Sequence, residues 1–292
     1  MSDAATGELA RLLAGALGQK VEVHSVHPVS GGCIHAAFRV VSTAGTFFAK
    51  AAPAGDARGL AAEATNLEAL HATGVIRVPR CVARGSWRKG EVLLLEWIDF
   101  GPPPPDGWTR LGEALAALHE VEGPRFGWPE NNVIGSTPQA NAWSDDWVDF
   151  FREQRLGALF RRLAAQGMTF SRAPALLEAL PSLLSGARAR PSLLHGDLWS
   201  GNAGFAKDGS PVIFDPACYY GHAETDLAMT RLFGGFPPAF YAAYQARHPC
   251  LPGADQREAL YQLYHVLNHA LLFGGGYRGQ AESIIAALVG RG

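Results

Sequence analysis

The sequence has no CxxC pair, no long apolar run and little charge. Its four cysteines, Cys33, Cys81, Cys218 and Cys250, lie far apart, which excludes CxxC-type zinc spacing and a dense disulfide framework. No apolar stretch approaches the length of a membrane span, so no membrane partner is expected. Charged residues make up 18% and the formal net charge is −2, which gives no support for a nucleic-acid-binding surface. The opening residues, MSDAATGELARLLAGAL, carry Asp and Glu early and lack a basic-then-apolar signal pattern. A soluble, cytoplasmic protein is the expectation. Hydrophobic residues are plentiful, at 48% of 292 residues, enough for a real core in two compact lobes or one large domain.

Along the chain the pattern changes once. Residues 7–17 read as a short helix. Strand patterns follow at 21–29, 38–41 and 46–50, broken by Ser30-Gly31-Gly32-Cys33 and by Ala44-Gly45, which is an antiparallel meander. Residues 59–72 read as a helix with Leu60, Ala64, Leu67 and Leu70 on its apolar face, and strands recur at 79–83 and 91–98. Pro102 to Pro105 cannot be helix or central strand. They set a lobe boundary near 97–106, giving an N-terminal lobe of 1–98 and a C-terminal lobe of 99–292. Beyond them helical patterns dominate, at 108–120, 144–166, 173–186, 223–233, 237–247, 256–272 and 279–290. The fold class expected is α+β: a small antiparallel-sheet lobe with one helix, then a larger, mainly helical lobe.

Two constellations carry chemistry. In SLLHGDLWSGNAGFAKDGSPVIFDP (192–216), Asp208-Gly209 is a strong turn dipeptide between apolar strand segments. Asn202 stands six residues before Asp208 and Asp215 six after Gly209, which brings both to one end of a ribbon, and Asp197 precedes Asn202 by five. Oxygen ligands gathered there suit a hard cation such as Mg²⁺, and singly each residue also suits a turn cap. The second constellation pairs Lys50, at the end of a strand, with Glu63 on an apolar helix face that demands a partner. Lys50 is the only lysine between Lys20 and Lys89. Beside the turn at Gly31, Gly32 and Cys33, such a pair is a device for holding phosphate. A small lobe holding phosphates, a large lobe holding a cation and a carboxylate, and a cleft at the linker are the parts of a nucleotide-dependent phosphoryl transferase.

These residues resemble the protein-kinase-like fold of aminoglycoside phosphotransferases, and more closely the fructosamine-3-kinase (ketosamine kinase) family. The resemblance rests on Gly31-Gly32-Cys33-Ile34, Lys50, Glu63, Asn132-Val133-Ile134-Gly135-Ser136-Thr137-Pro138-Gln139, Trp147 to Arg155-Leu156, HGDLWSGN, Asp215-Pro216, Tyr220-Gly221-His222 and LYQLYHVLNHALLFGGGY. It covers nearly the whole chain and implies an ATP- and Mg²⁺-dependent kinase acting on a fructosamine or ribulosamine. By that resemblance Asp197 is the catalytic carboxylate, and Asn202 and Asp215 hold Mg²⁺. Lys50 contacts the α/β-phosphates, Glu63 orients it, and Glu96, Trp97 and Ile98 form the adenine hinge. Asn132 becomes a substrate-side candidate. Trp199 suits either a wall for the sugar or core packing. There is no GxGxxG, and Asp215-Pro216 replaces Asp-Phe-Gly, which argues against a protein substrate. The rivals are a kinase of the same fold acting on an aminoglycoside, choline or another alcohol, and a nucleotide-binding pseudokinase. His195, His222, Glu224 and Asp226 read as structural, and the His265/His269 pair lacks the third ligand a metal requires. Cys33 reads as a small seat for the loop, or as an oxidisable thiol able to link a homodimer.

Overall fold

The structure is a computed structural model that describes residues 3–29, 35–53 and 57–290. The glycine turn at Gly31, Gly32 and Cys33 lies outside those residues, and with it the reading of Cys33 as a redox or dimer-linking thiol. The chain forms two units, Met1–Pro103 with Gly204–Asp215, and Pro104–Ala203 with Pro216–Gly292. The division thus falls inside the proline run, after Pro103 rather than after residue 98. The acidic hairpin, expected in the large lobe, belongs to the first unit.

In the first unit, β1 (Val23–Val29), β2 (Ala36–Ser42) and β3 (Gly45–Pro53) form the expected meander. With β4 (Cys81–Trp87) and β5 (Gly90–Glu96) they make one antiparallel sheet in the order β1-β2-β3-β5-β4. The register sets Lys50 of β3 opposite Ala37 of β2 and Leu93 of β5. There are two helices here, not one. Helix α1 (Asp3–Leu17) puts Ala5, Leu9 and Leu13 into a core with Val40, Trp87, Val92 and Leu94. Trp87 Nε1 donates to the Ala5 carbonyl at 2.9 Å, so burying the indole leaves its N–H satisfied. Helix α2 (Ala57–Ala72) buries Leu60, Leu67 and Leu70 and, on the same face, Glu63. A second small sheet joins β6 (Phe100–Gly101) to a hairpin of β10 (Ala203–Ala206) and β11 (Pro211–Ile213). Its turn is the one read at Asp208-Gly209: Gly209 takes φ 80°, and its N–H reaches the Ala206 carbonyl at 2.8 Å. Asn202 precedes this hairpin in the chain and Asp215 follows it.

The second unit is mainly helical, with α3 (Gly107–Leu118), α6 (Ala173–Leu183), α7 (Glu224–Leu232), α8 (Pro238–Arg247), α9 (Ala254–Phe273) and α10 (Tyr277–Val289). Helix α9 is buried over much of its length, the polar Arg257, His265 and Asn268 included. Two short ribbons have pairings that the sequence does not report, although Leu193-Leu194 reads as a buried strand segment. One joins β7 (Asn132–Ile134) to β8 (Thr137–Gln139), and the other pairs β9 (Ser192–Leu194) with β12 (Tyr219–Gly221). The helix expected over 144–166 divides into α4 (Trp147–Phe150), a π-helical stretch Phe151–Leu156 and α5 (Gly157–Ala165). The wide turn closes where the Gly157 N–H meets the Arg152 carbonyl, an approach that a Cβ at Gly157 would obstruct at 2.6 Å. No helix among the described residues is long and apolar enough to cross a membrane.

Helices α3 and α8 pack through Gly112, where a Cβ would meet the Phe240 carbonyl oxygen at 2.3 Å. Alanine has the higher helix propensity, yet Gly112→Ala is expected to destabilise the protein by about 1–3 kcal/mol, because backbone there must move. Calorimetry should find a lower Tm. An unchanged or raised Tm would contradict the close approach.

Candidate active site

Strand β3 and helix α2 bring Lys50 and Glu63 together because both point into the layer between sheet and helix. Lys50 Nζ donates to Glu63 Oε1 at 2.7 Å, and both side chains are only 11% exposed. The same ammonium donates to Asp215 Oδ1, at the end of the hairpin. Burial alone would lower the Lys50 pKa, but Glu63 and Asp215 outweigh it and hold it above the ordinary lysine value. The Glu63 carboxyl is pushed up by burial, which Lys50 opposes. One ammonium thus serves two carboxylates. Of the two, Asp215 is the accessible one, its side chain 44% exposed. Asp215 also takes φ 58°, a left-handed conformation that Asp tolerates better than most residues.

The hinge candidates hold different surroundings. Glu96 is occupied structurally: Arg77 Nη2 donates to it at 2.9 Å, and its N–H bonds the Arg80 carbonyl at 2.9 Å. Trp97 donates to Asp99 Oδ1 at 3.0 Å and carries the Arg39 guanidinium 5.0 Å over its ring. Ile98 is buried against Ala206 and Val212, with Phe214 alongside, an apolar patch of the kind a flat purine ring covers.

In the second unit the HGD loop is fixed from behind. The buried Asp226 carboxylate accepts the His195 N–H and the Gly196 N–H, both at 2.8 Å, and His119 Nε2 lies 3.2 Å from it. His119 Nδ1 is 2.7 Å from the Tyr244 hydroxyl. Burial would raise the Asp226 pKa, but the His119 hydrogen bond, the His119 and His195 charges and the Gly196 N–H hold it below the ordinary carboxylate value. Gly196 takes φ 82°, and a Cβ there would strike the Ala217 carbonyl at 2.1 Å. The loop so fixed presents Asp197, 23% exposed, with its N–H on His195 Nδ1 at 3.2 Å. Asn202 Nδ2 donates to the Asp197 carbonyl at 2.9 Å and to Oδ2 at 3.3 Å. Asp197 and Asn202 are therefore neighbours, as their five-residue spacing suggests.

Other candidates settle differently. Asn132 is buried and bound on both sides. It donates to the Cys218 carbonyl at 2.8 Å, and its Oδ1 accepts from Gln139 and Asn141 at 2.9 and 2.8 Å. Gln139 also reaches the Ala217 carbonyl at 3.2 Å and accepts from the Tyr264 hydroxyl at 2.6 Å. The Asn132–Gln139 ribbon thus clamps the backbone just after Asp215-Pro216, and the Asn132 side chain is engaged in that clamp. Arg155 enters the same network from the π-helical turn. It is fully buried, donates to Ala140 and Asn141, and lies 3.9 Å over the Tyr219 ring. Trp199 is half-buried and its indole lies over Gly201, where a Cβ would meet the ring at 2.4 Å. Its outer edge joins Phe233, His269 and the exposed Phe273 in a row of aromatic rings. Glu224 is paired with the buried Arg257 through two bonds of 2.6 and 2.7 Å, and His222 Nδ1 with the Tyr261 hydroxyl at 2.8 Å. No cluster of three or more His, Cys, Asp or Glu able to hold a metal occurs among the described residues.

Truncating Asp226 leaves two buried N–H groups and His119 without an acceptor. Asp226→Ala is expected to cost about 3–5 kcal/mol, read as a lowered midpoint in urea unfolding. A loss under 1 kcal/mol would show that the loop does not depend on it. His222 contributes a pH dependence: burial, then Arg257 and His119, lower its pKa to about 3, so it is neutral in the fold. An unfolded histidine titrates near ~6.5, so below that pH the unfolded chain binds a proton that the native state refuses. Stability is therefore lost as pH falls from about 6.5 toward 3. Melting curves between pH 7 and 5 should fall less steeply for His222→Asn than for the natural chain, and equal slopes would exclude this role.

The likeness to known proteins is extensive. The fructosamine kinase family matches residues 6–291. A probable ketoamine kinase of Synechocystis is 46% identical over 281 residues, spanning 95% of this chain and 94% of that protein. A chloroplastic protein-ribulosamine 3-kinase of Arabidopsis thaliana is 40% identical over 274 residues, 92% of this chain and 83% of its own. Among solved structures, one provisionally named fructosamine-3-kinase from Haemophilus somnus superposes with TM-score 0.90 at 27% identity, covering 97% of this chain and 98% of that one. An aminoglycoside phosphotransferase at TM-score 0.64 and 15% identity, covering 97% and 98%, shares the fold alone. The sheet-and-helix first unit, the Asp226-held HGD loop and a family match over almost every residue lead to one assignment: this chain belongs to the fructosamine kinase family.

Proposed function

We propose that the protein is a cytoplasmic, ATP- and Mg²⁺-dependent kinase that phosphorylates a sugar hydroxyl of a ketosamine, of the fructosamine or ribulosamine type. The observation that carries the phosphoryl-transfer chemistry is the buried Lys50 ammonium held between Glu63 and Asp215. The substrate class rests on the names of the relatives, a ketoamine kinase and a ribulosamine 3-kinase.

The side chains present fit both groups. Lys50 is charged and fixed by Glu63, as a phosphate contact must be. The half-exposed Asp215 side chain remains accessible beside Lys50, and Asn202 uses its Nδ2 on Asp197, which reserves its oxygen. A carboxylate and an amide oxygen are hard donors suited to Mg²⁺. Bound MgATP supplies the γ-phosphoryl group and an electrophilic phosphorus. Ile98 and its apolar neighbours support the adenine, with Trp97 beside them. Asp197 would accept the hydrogen bond of the substrate hydroxyl, orient it and take its proton as the new O–P bond forms and the bond from the γ-phosphorus to the bridging oxygen breaks, releasing ADP. Trp199 and the aromatic row beside it form an apolar wall for the sugar.

The test is ATP consumption by the purified protein across ribulosyl-lysine, fructosyl-lysine, free sugars, choline and kanamycin. Stimulation is expected with the glycated lysines, and Asp197→Ala should lose about 10²–10⁴-fold in turnover while still binding MgATP. Turnover with choline or kanamycin and none with the glycated lysines would replace the substrate class. Near-normal turnover by Asp197→Ala would remove that residue from the reaction.

A further inference from the structure

Asp197 has a second polar neighbour that the family roles do not include. Its Oδ2 faces Asn202, while its Oδ1 lies 3.9 Å from His265 Nδ1 on α9. His265 is 3% exposed, and Nδ1 is a buried nitrogen with no hydrogen-bond partner. An unpaired buried polar atom is costly, so native folds rarely keep one without a use. The ring cannot drift to find another partner, because α9 is anchored on both sides of it. Tyr261 bonds Trp147 and His222, Tyr264 bonds Gln139, and beyond the ring Asn268 Nδ2 donates to the Ile134 carbonyl at 3.5 Å. At 3.9 Å the pair is beyond hydrogen-bond length, so the contact requires the carboxylate to shift toward the ring. Catalytic hydrogen bonds are often long in empty sites and tighten when substrate binds.

We propose that His265 is a positioning residue for Asp197, donating from Nδ1–H to Oδ1 and holding the carboxylate in the orientation that meets the substrate hydroxyl. The proposal rests on the reading of Asp197 as the carboxylate that faces that hydroxyl. Asn202 fixes one oxygen and His265 the other, so the lone pair that accepts the proton has a set direction. The charged and titratable groups around the ring are Asp197, Asp226, Arg155, His269 and Tyr264, whose ring lies 5.1 Å from the imidazole. Burial, then His269 and Arg155, lower the His265 pKa to about 3, with Asp226 opposing. The imidazole is therefore neutral: it orients Asp197 without cancelling the charge that makes it a base, and it is not itself the proton acceptor.

The experiment compares His265→Asn, which keeps an N–H donor, with His265→Phe, which fills the space without one. The natural chain and Asp197→Ala are measured beside them with ribulosyl-lysine and MgATP. His265→Phe should lose about 10- to 100-fold in kcat, the scale of one hydrogen bond to a charged group, with KM for MgATP within about twofold. His265→Asn should recover most of that loss, and His265→Phe placed in Asp197→Ala should cost nothing further. The inference is overturned if His265→Phe keeps kcat within about twofold of the natural chain, or if Asn rescues no better than Phe. A fully active Asp197→Ala would instead overturn the reading on which the inference rests, so the two failures are distinguishable.

Discussion

One buried carboxylate organises the second unit. Asp226 lies at the start of α7 and accepts the N–H groups of His195 and Gly196, so the loop carrying Asp197 is held by its backbone rather than by packing. The arrangement is demanding. A fully buried carboxylate needs several donors to remain ionised, and the loop amides and His119 supply them. The bond is reciprocal: the loop cannot take its shape without the charge, and the charge cannot be buried without the loop. Gly196 completes it, since a side chain there would push the loop off the Ala217 carbonyl.

The first unit applies the same logic to a cation. Lys50 is buried beneath the sheet only because two carboxylates meet it, and one of them arrives on a hairpin from much later in the sequence. Beyond Asp215 the backbone carbonyls of Ala217 and Cys218 are held by Gln139 and Asn132. The segment that carries Asp215 is thus pinned by side chains on either side of Pro216, which suits a residue needed at a fixed place.

Much of this was legible in the sequence, for identifiable reasons. Lys50 and Glu63 could be paired because a charge on an apolar helix face requires a partner, and the Asp208-Gly209 turn could be placed because few dipeptides favour it so strongly. What stayed hidden was non-local. Helix α1 was visible, but its place in the core of the first unit depends on a bond to Trp87 that no periodicity reports. Asn132 looked like a substrate residue because the motif containing it marks the family, yet its side chain bonds the Cys218 carbonyl and the Gln139 and Asn141 amides. The π-helical turn at Phe151–Leu156 reads as ordinary helix, since Gly157 is tolerated in either. His119 had a signal, at four residues after Leu115 on the buried face of α3, but its partner Asp226 lies far along the chain.

The first unit is assembled from two separate lengths of chain, Met1–Pro103 and Gly204–Asp215. During synthesis, the ribosome must therefore make the whole of Pro104–Ala203 before the unit receives its last hairpin. At elongation rates of about 5–20 residues per second that is a delay of roughly 5–20 s. Throughout it Lys50 and Glu63 have no Asp215, and Ile98 has no hairpin to cover it. A nascent chain stalled or cut within that interval would expose an incomplete apolar surface, making those seconds the period when it most needs a chaperone.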